Sequence, residues 1–115
     1  MTVTTVQEAV DRIVNGFRKR YDASPELRQK LKGKNRIVLL DVTDGAAYTF
    51  HVEDGNLVRV ESERHPKPDA SMSVSTKDLL AILNKELPAM RAYLEKRVKV
   101  KASFTDILFV KSLLG

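Results

Sequence analysis

The sequence predicts an α+β domain, and three observations carry that expectation. Residues 36 to 62 alternate apolar with polar side chains at period two, and Thr43-Asp44-Gly45 and Glu53-Asp54-Gly55 interrupt them with hairpin signals. The N-terminal residues repeat apolar groups at helical spacing instead. Residues 68 to 102 read as a short strand, a capped helix, a helix begun by a proline and a second strand, so the chain leaves a sheet and returns to it across a helical bridge.

Each element has its own signal. Thr5 with Glu8 makes a capping box, and Val6, Val10, Ile13, Val14, Phe17 and Tyr21 follow at helical spacing. Ser24 as N-cap and Pro25 at the first helical position begin a second helix, with Leu27 and Leu31 as its buried seam and Gly33 as its stop. Strands are expected over 36–42, 46–52 and 56–62. A three-residue loop at Thr43, Asp44 and Gly45 sets Leu40 opposite Tyr48 and Val38 opposite Phe50. The same geometry with Gly55 in the left-handed region sets Phe50 opposite Val58 and Tyr48 opposite Val60. One face of this meander then carries Val38, Leu40, Val42, Tyr48, Phe50, Val52, Val58 and Val60; the other, with Asp41, Thr49, His51, Arg59 and Glu61, is expected to be wet.

Residues 62–68 hold Pro66 and Pro68 and form a polar loop. Ala70, Met72 and Val74 alternate with Ser71, Ser73 and Ser75 as a fourth strand. Ser75 and Asp78 cap a helix carrying Leu79, Leu80, Ile82 and Leu83, and Asn84 is expected to end it in the left-handed conformation. Pro88 opens a helix with Met90, Tyr93 and Leu94, and Arg97 to Ala102 make the fifth strand. Ser103 and Asp106 cap a last helix, whose Phe104, Ile107, Leu108, Phe109, Val110, Leu113 and Leu114 surround most of its circumference. A helix on one sheet needs an apolar stripe of only roughly 100°. The surplus calls for a lipid, another subunit or a neighbouring domain, or else for a terminal helix sunk in the core, and periodicity alone favours neither side.

Composition narrows the function. A chain of 115 residues fits one domain over 1–115. With no Cys there is no disulfide framework and no thiolate chemistry. The opening residues lack the pattern of a signal peptide and no window approaches a membrane span, so a cytoplasmic protein is expected. The net charge of +5 and pI near 9.6 raise nucleic acid or an anionic membrane surface as partners. Lys99 and Lys101 alternate with Val98 and Val100 as the outer side of a half-buried strand does, and no Trp or aromatic stacking platform accompanies them. Nucleic acid is therefore disfavoured, and a membrane surface ranks ahead of it. His51 and His65, the only histidines, have no metal-ligand spacing; Asp44 and Asp54 are explained by turn chemistry; no nucleophile motif or Gly-rich phosphate loop is present. No cofactor, metal or enzymatic activity is expected.

Pro68-Asp69 before an alternating strand, then Ser-Thr-Lys-Asp-Leu-Leu from Ser75, then Leu87 with Met90, Ala92 and Tyr93, then Val-Lys-Val and an amphipathic end, together resemble the sterol carrier protein type two family of lipid-binding domains. Helix one, the Leu31-Lys32-Gly33 ending and the Asp54-Gly55 hairpin fall in the family's order, so the resemblance covers nearly the whole chain. It implies a five-stranded, mostly antiparallel sheet with about five helices packed on one face, enclosing an apolar tunnel for sterols, fatty acids or acyl-CoA. Family members usually carry Gly near Asn84, near Lys96 and just after the fifth strand, where this chain has Ala102 and Ser103.

The leading expectation is a non-enzymatic carrier that holds a fatty acyl chain, acyl-CoA or sterol-like lipid. Its walls are expected to be Tyr48, Phe50, Leu79, Leu83, Leu87, Met90, Tyr93, Phe104, Leu108 and Phe109. The alternative is an interaction module that uses the same apolar surface for a homodimer or to dock on an enzyme.

Overall fold

The computed structural model describes residues 2–103 together with 106 and 107. Two helices, α1 (Val6–Ala23) and α2 (Pro25–Leu31), lead into the strands β1 (Arg36–Val42), β2 (Ala47–Glu53), β3 (Asn56–Glu61) and β4 (Ala70–Val74). Helices α3 (Thr76–Leu83) and α4 (Ala89–Leu94) then bridge to β5 (Val98–Lys101). Four helices thus stand among the described residues. Of the predicted fifth, only the start is described: the Asp106 N–H donates to Ser103 Oγ at 3.2 Å and the Ile107 N–H to the Ser103 carbonyl at 2.9 Å, as the capping signal foretold.

The expected caps formed. The Glu8 N–H donates to Thr5 Oγ1 at 3.1 Å, the Leu27 N–H to Ser24 Oγ at 3.1 Å and the Asp78 N–H to Ser75 Oγ at 3.2 Å. The sheet order is β3-β2-β1-β4-β5, with β1 and β4 parallel and every other pair antiparallel. β1 and β2 pair as expected, Leu40 opposite Tyr48 and Val38 opposite Phe50.

The register between β2 and β3 departs from the sequence reading. Asp54 and Gly55 alone make the turn, both at positive φ (51° and 78°), as a two-residue hairpin of type I′ demands. Glu53 pairs with Asn56 and Val52 with Leu57; the register then slips, so that His51 faces Arg59 and Phe50 faces Val60. Val58 is the unpaired residue of this bulge. The slip turns Leu57 into the core, 2% exposed, and leaves Val58 outside, 44% exposed. Val58 was expected on the inner face; a bulge of one residue reverses which of two adjacent apolar side chains points inward.

Two further corrections concern the sheet's outer face and the end of α3. Leu39 and Thr49 are buried there, because the loop after β3 crosses it. Thr49 Oγ1 donates to the Glu63 carbonyl at 2.6 Å and accepts from the His65 N–H at 3.2 Å, and Arg64 pairs with Asp41 at 2.7 Å. The left-handed residue after α3 is Lys85 (φ 61°), while Asn84 stays near-helical at φ −86°. The Glu86 N–H reaches the Ala81 carbonyl at 2.9 Å and the Lys85 N–H the Ile82 carbonyl at 3.1 Å, the paired bonds of a Schellman motif, which place the left-handed residue one step after the cap. Asn84 serves instead as a clasp, its amide bonding both the N–H and the carbonyl of Val3 at 2.8 and 3.0 Å.

Candidate functional site

The inner face of the sheet is apolar from edge to edge. Val38, Leu40 and Val42 of β1 lie beside Tyr48, Phe50 and Val52 of β2 and Ala70, Met72 and Val74 of β4, with Leu57 and Val98 toward the two edges. Alternation produces this floor, since every second side chain of each strand points the same way. α1 sends Ala9, Val10, Ile13 and Phe17 into the same cluster, and α3 sends Leu79, Ile82 and Leu83, with Leu87 and Ala92 closing the bridge to β5. At about 25 cal/mol per Å2, burial of this kind is the main driving force holding the two layers together.

The residues expected to form a ligand wall divide into three groups. Tyr48, Phe50, Leu79, Leu83 and Leu87 are buried and belong to one cluster between the layers. Met90 and Tyr93 stand on the surface of α4, 53% and 43% exposed, and Leu94 beside them is 71% exposed. Phe104, Leu108 and Phe109 lie outside the described residues. α4 is short, and its Ala92 is the side chain that enters the core.

A cleft of about 430 Å3 that the sequence did not disclose opens between α1 and the β2–β3 side of the sheet. Val10, Val14, Tyr48 and Val60 line it, with Gln7, Asp11, Asn15, Arg18 and Ser62 as its polar members. Val10 and Val14 signal an apolar helix stripe, but nothing local says that this stripe meets β3.

Charge is organised around the ends of the elements. Arg36 at the start of β1 donates through Nε to Asp106 Oδ1 at 2.8 Å, and this bond raises the guanidinium pKa further above its ordinary value. The buried Asp106 carboxylate thereby ties the segment after β5 to the start of β1. On α4, Arg91 pairs with Glu95 at 2.7 Å, while Arg97 reaches Glu95 at 3.2 Å and Asp78 at 3.9 Å. The two arginines hold the Glu95 carboxylate below its usual pKa, Arg91 by its hydrogen bond foremost. On the outer face His51 Nε2 pairs with Glu61. Among the described residues no group of three or more His, Asp or Glu is placed to hold a metal ion, and no helix is long and apolar enough to cross a membrane.

Comparison with known proteins gives a consistent picture. A family model described as the SCP-2 sterol transfer family matches residues 14–113. The solution structure of palmitated SCP2L2 from Aedes aegypti superposes with a TM-score of 0.67 at 18% identity, covering 95% of this chain and 92% of that one. A UbiJ-SCP2 ubiquinone synthesis protein gives 0.64 at 15% identity, with 95% and 92% covered. The inverting sec-alkylsulfatase Pisa1 from Pseudomonas sp. gives 0.56 at 18% identity over 75% of this chain but 13% of its own. At such identities the likeness is one of fold. No curated protein matches the sequence.

Proposed function

This chain belongs to the SCP-2 sterol transfer family, and on that premise we propose that it is a non-enzymatic carrier which takes one lipid, a fatty acyl chain, acyl-CoA or sterol-like molecule, between its sheet and helices. The observation that carries the reading is the unbroken apolar floor of the sheet, roofed by α1 and α3; Met90, Tyr93 and Leu94 stand exposed on neighbouring α4. Tyr48, Phe50, Leu79, Leu83 and Leu87 form the inner wall in this reading, Met90 and Tyr93 the mouth, and Phe104, Leu108 and Phe109 the remainder.

The energetics favour it. Sixteen methylenes buried at about 0.8 kcal/mol each supply about 13 kcal/mol gross, which leaves useful affinity after the ordering costs of binding. That the similar SCP2L2 from Aedes aegypti was solved palmitated supports an acyl chain as the ligand class. Leu79, fully buried on the inner side of α3, would meet such a chain from the helical layer in this reading.

Native mass spectrometry of the purified chain, followed by organic extraction, tests the proposal. One lipid per chain, or one equivalent of a fluorescent polyene fatty acid taken up and displaced by palmitate, is the expected result. A lipid-free protein that ignores the probe, above all a lipid-free dimer, would overturn it.

A further inference from the structure

α4 is bracketed by two identical backbone devices. After α3, Lys85 is the left-handed residue of a Schellman motif closed by Glu86 N–H to Ala81 and Lys85 N–H to Ile82. After α4, Lys96 is the left-handed residue of a second one, closed by Arg97 N–H to the Ala92 carbonyl at 2.9 Å and Lys96 N–H to the Tyr93 carbonyl at 3.1 Å. Glycine adopts this conformation without a steric penalty; a lysine adopts it under strain. Both lysines are exposed, and among the described residues neither ammonium has an ion-pair partner. The neighbouring Arg91 and Arg97 are already engaged by Glu95 and Asp78. Between the two free cations, Met90, Tyr93 and Leu94 occupy positions i, i+3 and i+4 of one exposed helix face.

We propose that the segment from Lys85 to Lys96 docks on an anionic lipid bilayer. Met90 and Leu94 enter the acyl boundary, the Tyr93 ring lies at headgroup depth with its hydroxyl in water, and the two ammonium groups reach lipid phosphates at either end of the helix. The arrangement fits a bilayer better than a second copy of the chain. Lysine is depleted at protein interfaces, and a twofold pairing of this face would bring its unpaired cations toward one another. A positively charged chain is also drawn to an anionic leaflet as a whole. The docking rests on the carrier reading in purpose, since a carrier must meet a membrane to load, but its measurement is separate.

Co-sedimentation of the full chain with vesicles of phosphatidylcholine alone, and of phosphatidylcholine mixed with phosphatidylglycerol, tests it. Binding to the anionic vesicles alone, weakened by added salt, is expected. The pair Lys85→Gly with Lys96→Gly should weaken that binding by roughly 25-fold, about fivefold for each lysine near the surface. It should also raise the thermal midpoint, because glycine relieves both left-handed positions, so that affinity and stability move in opposite senses. Were the lysines merely structural, stability would change and vesicle binding would not. Met90→Ser with Leu94→Ser should abolish binding while the circular dichroism of the sheet persists. A wild-type chain that carries lipid yet ignores anionic vesicles overturns the docking and leaves the carrier reading standing. One that docks through α4 but never holds lipid does the reverse. Equal binding to both vesicle types, or a dimer that covers α4, also overturns the docking.

Discussion

At the β2–β3 turn the chain reverses through Asp54 and Gly55, φ 51° and 78°; at the two ends of α4 it reverses through Lys85 and Lys96, φ 61° each. The first corner is bonded on every side. Asp54 Oδ1 accepts from the Gly33 N–H at 2.6 Å, the Asp54 N–H donates to Asn35 Oδ1 at 2.9 Å, and the Gly55 N–H donates to the Lys34 carbonyl at 2.8 Å. Residue type and backbone agree there, so α2, the link into β1 and the hairpin form one unit. Around α4 residue type and backbone conflict, apolar side chains face outward, and the helix buries little. The difference teaches that this fold concentrates local consistency away from its candidate mouth and places its strain beside it.

The bonded corner has no room for a side chain at Gly55. A β-carbon on Gly55 would lie 2.5 Å from the Leu31 carbonyl oxygen and 2.6 Å from Leu31 Cβ, at a φ that already disfavours it. Gly55→Ala is expected to destabilise the fold by about 4 kcal/mol, combining left-handed strain with overpacking against backbone, read from the urea midpoint. A loss below about 1 kcal/mol would mean that α2 and the hairpin are not locked together. Next in size is the register test. Leu57→Ala should cost about 3 kcal/mol and Val58→Ala under about 0.5, because only Leu57 lies in the core. The opposite order would restore the three-residue turn.

How far the sequence discloses this molecule depends on how local each decision is. Caps at Thr5, Ser24, Ser75 and Ser103, and the β1–β2 register, follow from residues a few positions apart, and they formed as read. The β2–β3 register did not, because Leu57 and Val58 are both apolar and a two-residue turn with a bulge competes with a three-residue turn on nearly equal terms. The burial of Thr49 depends on where a polar loop comes to rest, which alternation within β2 does not encode. For the candidate site, periodicity was enough to gather Tyr48, Phe50, Leu79, Leu83 and Leu87 into one cluster. It was too weak to orient α4, where six residues offer less than two turns and small Ala92 takes the inward position. The cleft beside α1 depends on α1 meeting β3, a contact between distant segments.

Relieving the strained corner is the complementary perturbation. Lys85→Gly and Lys96→Gly should each stabilise by about 0.5 to 1 kcal/mol, the left-handed strain recovered less the entropy glycine adds to the unfolded chain. That gain at α4, set against the loss at Gly55, would place the two corners on opposite sides of their optimum.

The smallest effect concerns the fixed end of the same helical bridge. Asp44, in the turn after β1, accepts from the Thr76 N–H at 2.8 Å and from its hydroxyl at 2.9 Å, so the first residue of α3 is tied to the sheet while the last gives way to strained Lys85. The Thr76 backbone bond, and then its hydroxyl, lower the Asp44 pKa from its ordinary value of 3.8. A carboxyl whose folded pKa is depressed contributes stability that is complete above its unfolded pKa and disappears as pH falls through the lower, folded value. Wild-type stability should therefore decline more steeply with acid below about pH 4 than that of Asp44→Asn, which cannot ionise there but keeps an oxygen to accept the Thr76 N–H. Equal slopes in acid urea titrations would show that the turn holds α3 without help from its charge, and the start of the bridge would then be no better anchored than its end.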